Sequence, residues 1–226
     1  MSARELARRV VAEALGTTFL LIAVVGSGIM GARLSGGNDA IALLANSLAT
    51  GGALIALITA LAPVSGAHFN PAVTLFELAG RRIGWRAALA YIPMQIAGAV
   101  AGVVVAHAMF GLPLLQASEH SRATPGELIG EIVATFGLLL TIWGTARAKP
   151  DAVPVAVAAY IVGAYWFTSS TSFANPAVTI ARSLTDTFSG IAPASVVGFI
   201  AAQLIAVVLI CVVLPMLDQA RPDKRV

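Results

Sequence analysis

Asn70-Pro71-Ala72-Val73-Thr74 and Asn175-Pro176-Ala177-Val178-Thr179 are the same five residues written twice, 105 positions apart. Proline has no N–H and a φ preset for a helix, so it suits the first helical turn. Asparagine just before it is a strong N-cap. Each pentapeptide therefore predicts a helix start. The apolar segments they open, 69–79 and 174–184, are too short to cross a bilayer, which takes about 20 residues.

Around them lie six stretches that are long enough, roughly 9–31, 40–61, 85–108, 126–146, 154–172 and 194–216. Composition agrees. The chain has 226 residues, 58% hydrophobic and only 11% charged, where a soluble domain carries about 25% charged residues. Charges are costly in hydrocarbon, so a chain that lives there excludes them from long runs. The one cysteine, Cys211, allows no disulfide framework within a chain. His68, His107 and His120 are too scattered to suggest a metal site. No metal, cofactor or nucleic-acid partner is expected. The first apolar run, Val10 to Met30, contains Glu13 and exceeds the length of a signal-peptide core, so it reads as a retained span.

Basic residues set the orientation. With six spans and two re-entrant segments, Arg4, Arg8, Arg9, the Arg81, Arg82 and Arg86 group, Arg147, Lys149, and Arg221, Lys224 and Arg225 fall on one side. Arg33, Arg122 and Arg182 fall on the other. This bias predicts cytoplasmic termini, in the cell inner (plasma) membrane. The halves also repeat. Gly16, Thr17 and Phe19 near Glu13 echo Gly130-Glu131 and Thr135-Phe136, and Gln95 pairs with Gln203. Three spans per half is an odd number, so the second half, about 120–217, is inverted relative to the first, about 1–108. Such repeats place a solute path near midplane at their interface. The two half-helix N-termini then meet head to head. Their partial positive charge opposes cations, and the amides of Asn70 and Asn175 can donate to a passing solute oxygen.

Ser65-Gly66-Ala67-His68-Phe69-Asn70-Pro71-Ala72-Val73-Thr74 resembles the first signature of the aquaporins, or major intrinsic proteins, and Asn175-Pro176-Ala177 resembles the second. The resemblance covers nearly the whole chain. It implies an all-α membrane protein of six transmembrane helices plus two re-entrant half-helices in an inverted 3+3 repeat, one pore per subunit, and a homotetramer in lipid. The same resemblance implies an outer filter of four positions, one an arginine directly after the second Asn-Pro-Ala. Here that position is Val178. Counting from the asparagines places the others at Thr50, Gly163 and Ser172. All four are small or uncharged, so the expected opening is wide, weakly polar and less repulsive to cations. Water, glycerol, urea and arsenous acid are the expected solutes, the last by analogy with bacterial relatives of relaxed filter.

Other residues carry two readings each. Glu13 and Glu131 are expected to brace the re-entrant loops; the alternative is proton carriage. His68 lines the inner vestibule or holds its loop. Arg182, four residues after Val178, is expected about one turn nearer the outer mouth with access to water. There it is a cation barrier, or an anchor bonded to backbone carbonyls or Asp186. Gly98 and Gly102 form a GxxxG that predicts a close helix crossing. The rival functions are a proton-coupled transporter, an intramembrane enzyme and a purely structural membrane protein. No HExxH or G-x-S-x-G motif supports the enzyme.

Overall fold

The computed structural model describes residues 1–218. Arg221, Lys224 and Arg225, which entered the charge count, lie outside the described residues. The regular structure of the described residues is helical: α1 (Ala3–Leu34), α2 (Asp39–Ser65), α3 (Pro71–Ala79), α4 (Trp85–Phe110), α5 (Pro125–Ala148), α6 (Val153–Phe167), α7 (Pro176–Arg182) and α8 (Pro193–Asp218), with one 3-10 turn, Pro150–Ala152. Six helical spans among the described residues are long and apolar enough to cross a membrane, the fifth being the 3-10 turn joined to α6, Pro150–Phe167. The six-span, two-half-helix architecture expected from sequence is borne out.

Local chemistry explains the boundaries. Asn38 caps α2 by accepting from the N–H groups of Ala40 and Ile41. Thr124 and Glu127 form a capping box around Pro125 at the start of α5. Gly66 (φ 93°) and Gly111 (φ 67°) end α2 and α4 in the left-handed region, where a Cβ is strained. The fifth span is shorter than the 154–172 read from hydropathy. Helix α6 stops at Phe167, and Thr168 is extended. The Thr168 hydroxyl turns back on the Ala164 carbonyl, and Thr171 and Ser172 adopt positive φ. Five hydroxyl-bearing residues in a row, 168–172, compete for the backbone bonds that would continue the helix.

Packing follows the helical period. On α1, Val11, Leu15 and Phe19 are exposed at four-residue spacing, while Ala12, Glu13, Gly16, Leu20 and Val24 are buried. On α8, Leu204, Val208 and Val212 form a similar outward stripe. Apolar side chains facing outward on spanning helices are what lipid contact requires. Inside, α1 packs on α4 and α2, α5 packs on α8 and α6, and α2 crosses α6. The half-helix α3 lies against α4 and α8, and α7 lies against α8 and α4. Each half-helix thus touches the third span of both halves.

The GxxxG crossing is present. A Cβ at Gly98 would strike the Ala14 carbonyl oxygen of α1, and one at Gly102 would strike the Thr18 carbonyl and Leu21. Small residues let the two backbones approach, and close packing of this kind is a main source of helix association in lipid. Gly98→Ala is expected to push α1 and α4 apart and cost about 1–3 kcal/mol, read as a lower melting midpoint in detergent. At Gly52, where an added Cβ meets nothing within 4 Å, the same change should leave the midpoint unchanged or raise it.

Candidate functional site

The two short helices meet at their asparagines. Asn70 Oδ1 accepts from the Ala72 N–H at 2.8 Å, and Asn175 Oδ1 accepts from the N–H groups of Ala177 and Val178 at 3.0 and 3.3 Å. Each amide then crosses to the opposite loop. Asn70 Nδ2 donates to the Ala174 carbonyl at 2.7 Å, and Asn175 Nδ2 donates to the Phe69 carbonyl at 2.8 Å. Each asparagine therefore caps its own helix and ties the two loops together. An amide nitrogen has two N–H groups, so one per asparagine is left for a solute.

The loops leading in are irregular. Ala67 and Phe69 before Asn70, and Ser172 and Ala174 before Asn175, all have φ near +50°. This conformation leaves backbone N–H groups without a regular partner, and the buried carboxylates supply one. Glu13 accepts from the Ser65 hydroxyl (2.6 Å), the His68 N–H (3.0 Å), the Phe69 N–H (2.7 Å) and Gln95 Nε2 (2.8 Å). Glu131 accepts from the N–H groups of Phe173 (2.8 Å) and Ala174 (2.9 Å) and from Gln203 Nε2 (2.6 Å). The glutamines pass the connection on: Gln95 also donates to Thr74 Oγ1 and Gln203 to Thr179 Oγ1. Those threonines donate to the carbonyls of Asn70 and Asn175. The same chain of bonds occurs once around each half-helix.

A cavity of about 490 Å³ runs past both asparagines. Arg9, Glu77, Arg82 and His68 line one end; Thr50, Tyr165, Ser172, Val178 and Arg182 line the other. His68 touches both the cavity and its own loop. Its ring borders the cavity, and its Nδ1 shares a hydrogen bond with Thr74 Oγ1 at 3.0 Å. A second cavity, about 440 Å³, is lined by Asp39, Asn46, His120, Arg122 and Trp166, among others. Arg182 lines both cavities.

A family model described as Major intrinsic protein matches residues 1–172. The chain belongs to the major intrinsic protein family. This major intrinsic protein is 52% identical over 223 residues to Aquaglyceroporin AqpS of Rhizobium meliloti (strain 1021), across 98% of this chain and 95% of that one. It is 32% identical over 187 residues to Aquaporin NIP1-3 of Oryza sativa subsp. japonica, across 78% of this chain and 63% of the relative. The X-ray structure of the aquaglyceroporin from Plasmodium falciparum matches with a TM-score of 0.77 at 21% identity, over 95% of this chain and 100% of that one, a likeness of fold. Members of the family are membrane channels rather than enzymes, so the intramembrane-enzyme and coupled-transporter readings give way to a passive multi-pass channel.

Two expected positions of this major intrinsic protein need correction. Gly163 does not line the cavity. The wall-facing stripe of α6 is Val153, Val157, Ile161 and Tyr165, at four-residue spacing. Gly163 lies two residues from Tyr165, about 200° around the helix, and a Cβ there would meet the exposed Phe167. Counting backward from Asn175 failed because the irregular loop between Phe167 and Asn175 sets how many residues separate the wall-facing position of α6 from the asparagine. The periodic stripe carried the signal that could have found Tyr165. Arg182 is the second correction. It is 2% exposed, so it is buried on the cavity wall rather than standing in an open mouth. Its Nε donates to the Ser189 carbonyl, and its guanidinium lies 3.5 Å from the Phe173 ring centroid. The segment after α7 folds back and covers it. Asp186 instead accepts from the Glu119 N–H and lies 3.9 Å from His120.

The braces make a stability prediction. Glu131→Ala leaves the buried N–H groups of Phe173 and Ala174 unpaired, at about 1–3 kcal/mol each. Its melting midpoint in detergent should fall well below that of Glu131→Gln, which keeps one acceptor oxygen.

Proposed function

We propose that the chain passes water and small neutral hydroxylated solutes, glycerol, urea and arsenous acid among them, by passive diffusion along the cavity between its half-helices. The observation that carries this reading is the cross-bonded pair Asn70 and Asn175, one from each half-helix, side by side on one continuous cavity wall. Each retains an N–H able to donate to a solute oxygen, while the helix ends behind them disfavour a cation. The name of the Rhizobium meliloti relative, an aquaglyceroporin, supports glycerol as a solute.

Within this proposal Thr50, Ser172 and Val178 are filter residues at the end of the cavity that Arg182 also lines, and Arg182 is a cation barrier there. Glu13 and Glu131 brace the loops. The hydrogen-bond partners of these carboxylates named above are all donors. The Ser65 hydroxyl already accepts from the Ala67 N–H, so its own proton goes to Glu13. Such a setting supports a fixed acceptor rather than a proton carrier. The halves at about 1–108 and 120–217 act as inverted repeats, both termini lie in the cytoplasm, the membrane is the inner (plasma) membrane, and the assembly is a homotetramer. The lipid-facing stripes and the uneven basic residues support that placement.

Proteoliposome light-scattering with water, glycerol, urea and arsenous acid tests the reading. Solute entry above that of empty vesicles, insensitive to a proton gradient, is expected. Val178→Arg adds a bulky cation on the cavity wall. It should cut glycerol flux about tenfold more than water flux. Equal loss of both, in folded protein, counts against a filter role for Val178.

A further inference from the structure

The small residues at Thr50, Ser172 and Val178 suggest a wide opening, but the position they leave free is filled from α6. Tyr165 is buried at 3% exposure, and its hydroxyl shares a 3.3 Å hydrogen bond with Thr50 Oγ1 of α2. Both line the same end of the cavity as Ser172, Val178 and Arg182. Two further residues there carry polar atoms without hydrogen-bond partners among the described residues. Ser172 Oγ is buried and has no hydrogen-bond partner among the described residues. Arg182 spends only its Nε on a protein carbonyl, that of Ser189. Its terminal nitrogens make no hydrogen bond among the described residues, and the side chain borders both cavities. A buried hydroxyl and buried terminal guanidinium nitrogens without hydrogen-bond partners are unusual unless a mobile polar molecule meets them.

We propose that Tyr165 is the specificity-determining residue of this channel. Its ring, replacing the wide gap expected at Gly163, sets the size limit. Its hydroxyl, with those of Thr50 and Ser172, forms a polar collar beside Arg182. A neutral polyol or trihydroxy acid crossing the collar exchanges its water shell for these hydroxyls and the guanidinium nitrogens. A larger polyol is stopped by the ring. This deepens the channel reading above and rests on it.

The test uses full-length protein in proteoliposomes, with water, glycerol and the four-carbon polyol erythritol as probes. Tyr165→Ala should raise the erythritol-to-water permeability ratio at least about fivefold, because the ring is gone. Tyr165→Phe keeps the ring, so that ratio should stay at the wild-type value while glycerol flux falls about threefold. Gly163→Ala, on the opposite face of α6, should change neither. Tyr165→Leu replaces the alanine variant if the latter does not yield folded protein by melting curve. An unchanged erythritol-to-water ratio in the folded alanine or leucine variant overturns the proposal, as does an equal rise in Tyr165→Phe. Wild-type vesicles no more permeable than empty ones would instead sink the channel reading itself, so the two failures are distinguishable.

Discussion

Irregular backbone cannot stand in hydrocarbon with its N–H and C=O groups unpaired, and this fold places two irregular loops at the centre of a membrane protein. The solution is a buried carboxylate behind each loop. Glu13 and Glu131 collect the N–H groups that the left-handed residues Phe69, Ala174 and their neighbours leave over. Through Gln95 and Gln203 they also fix the threonines at the fourth position after each asparagine. Without that bracing the loops have no reason to present their asparagines to one another. The pore is therefore a consequence of polar accounting in a setting where water cannot help.

The asparagines show how one side chain serves three ends. The carbonyl oxygen caps a half-helix, one amide hydrogen closes the opposite loop, and the other remains for solute. Because the cap and the cross-bond hold the amide rigid, the free hydrogen points in a fixed direction. A donor fixed in place costs little reorganisation when a solute arrives, which is how a narrow polar path conducts without binding tightly. The cross-bonds also couple the halves, so neither half-helix can tilt alone.

The end of the cavity at Val178 follows a different logic. The position after the second Asn-Pro-Ala holds valine, and the nearest guanidinium belongs to Arg182, one turn further along α7. That side chain is held between the Ser189 carbonyl and the Phe173 ring. Arg122 also reaches the Phe173 ring, at 5.3 Å, and donates to the Gly190 carbonyl. Two arginines thus fix the loop that roofs the second cavity. Positive charge stays near the path, displaced from the narrow point to its border. Under the proposal above, Tyr165 and Thr50, which share a hydrogen bond on the cavity wall, set what that end admits.

Sequence by itself determined the topology. Six apolar stretches, two short ones opened by Asn-Pro, and Glu13 and Gln95 echoed by Glu131 and Gln203 were sufficient, because hydrocarbon permits so few ways to satisfy a backbone. The brace, cap and close-crossing residues were legible for the same reason: each is a local requirement written in residue type. Only the tertiary structure decided which residues face the outer path. The packing of α6 turns the stripe Val153, Val157, Ile161 and Tyr165 to the cavity and leaves Gly163, two residues from Tyr165, about 200° away. Likewise the chain after α7 buries Arg182 by folding back over it, a contact with Ser189 that no periodicity announces. Spans are set by composition along the chain; a filter is set by where a few side chains converge, and that depends on loops whose course the sequence states only in three dimensions.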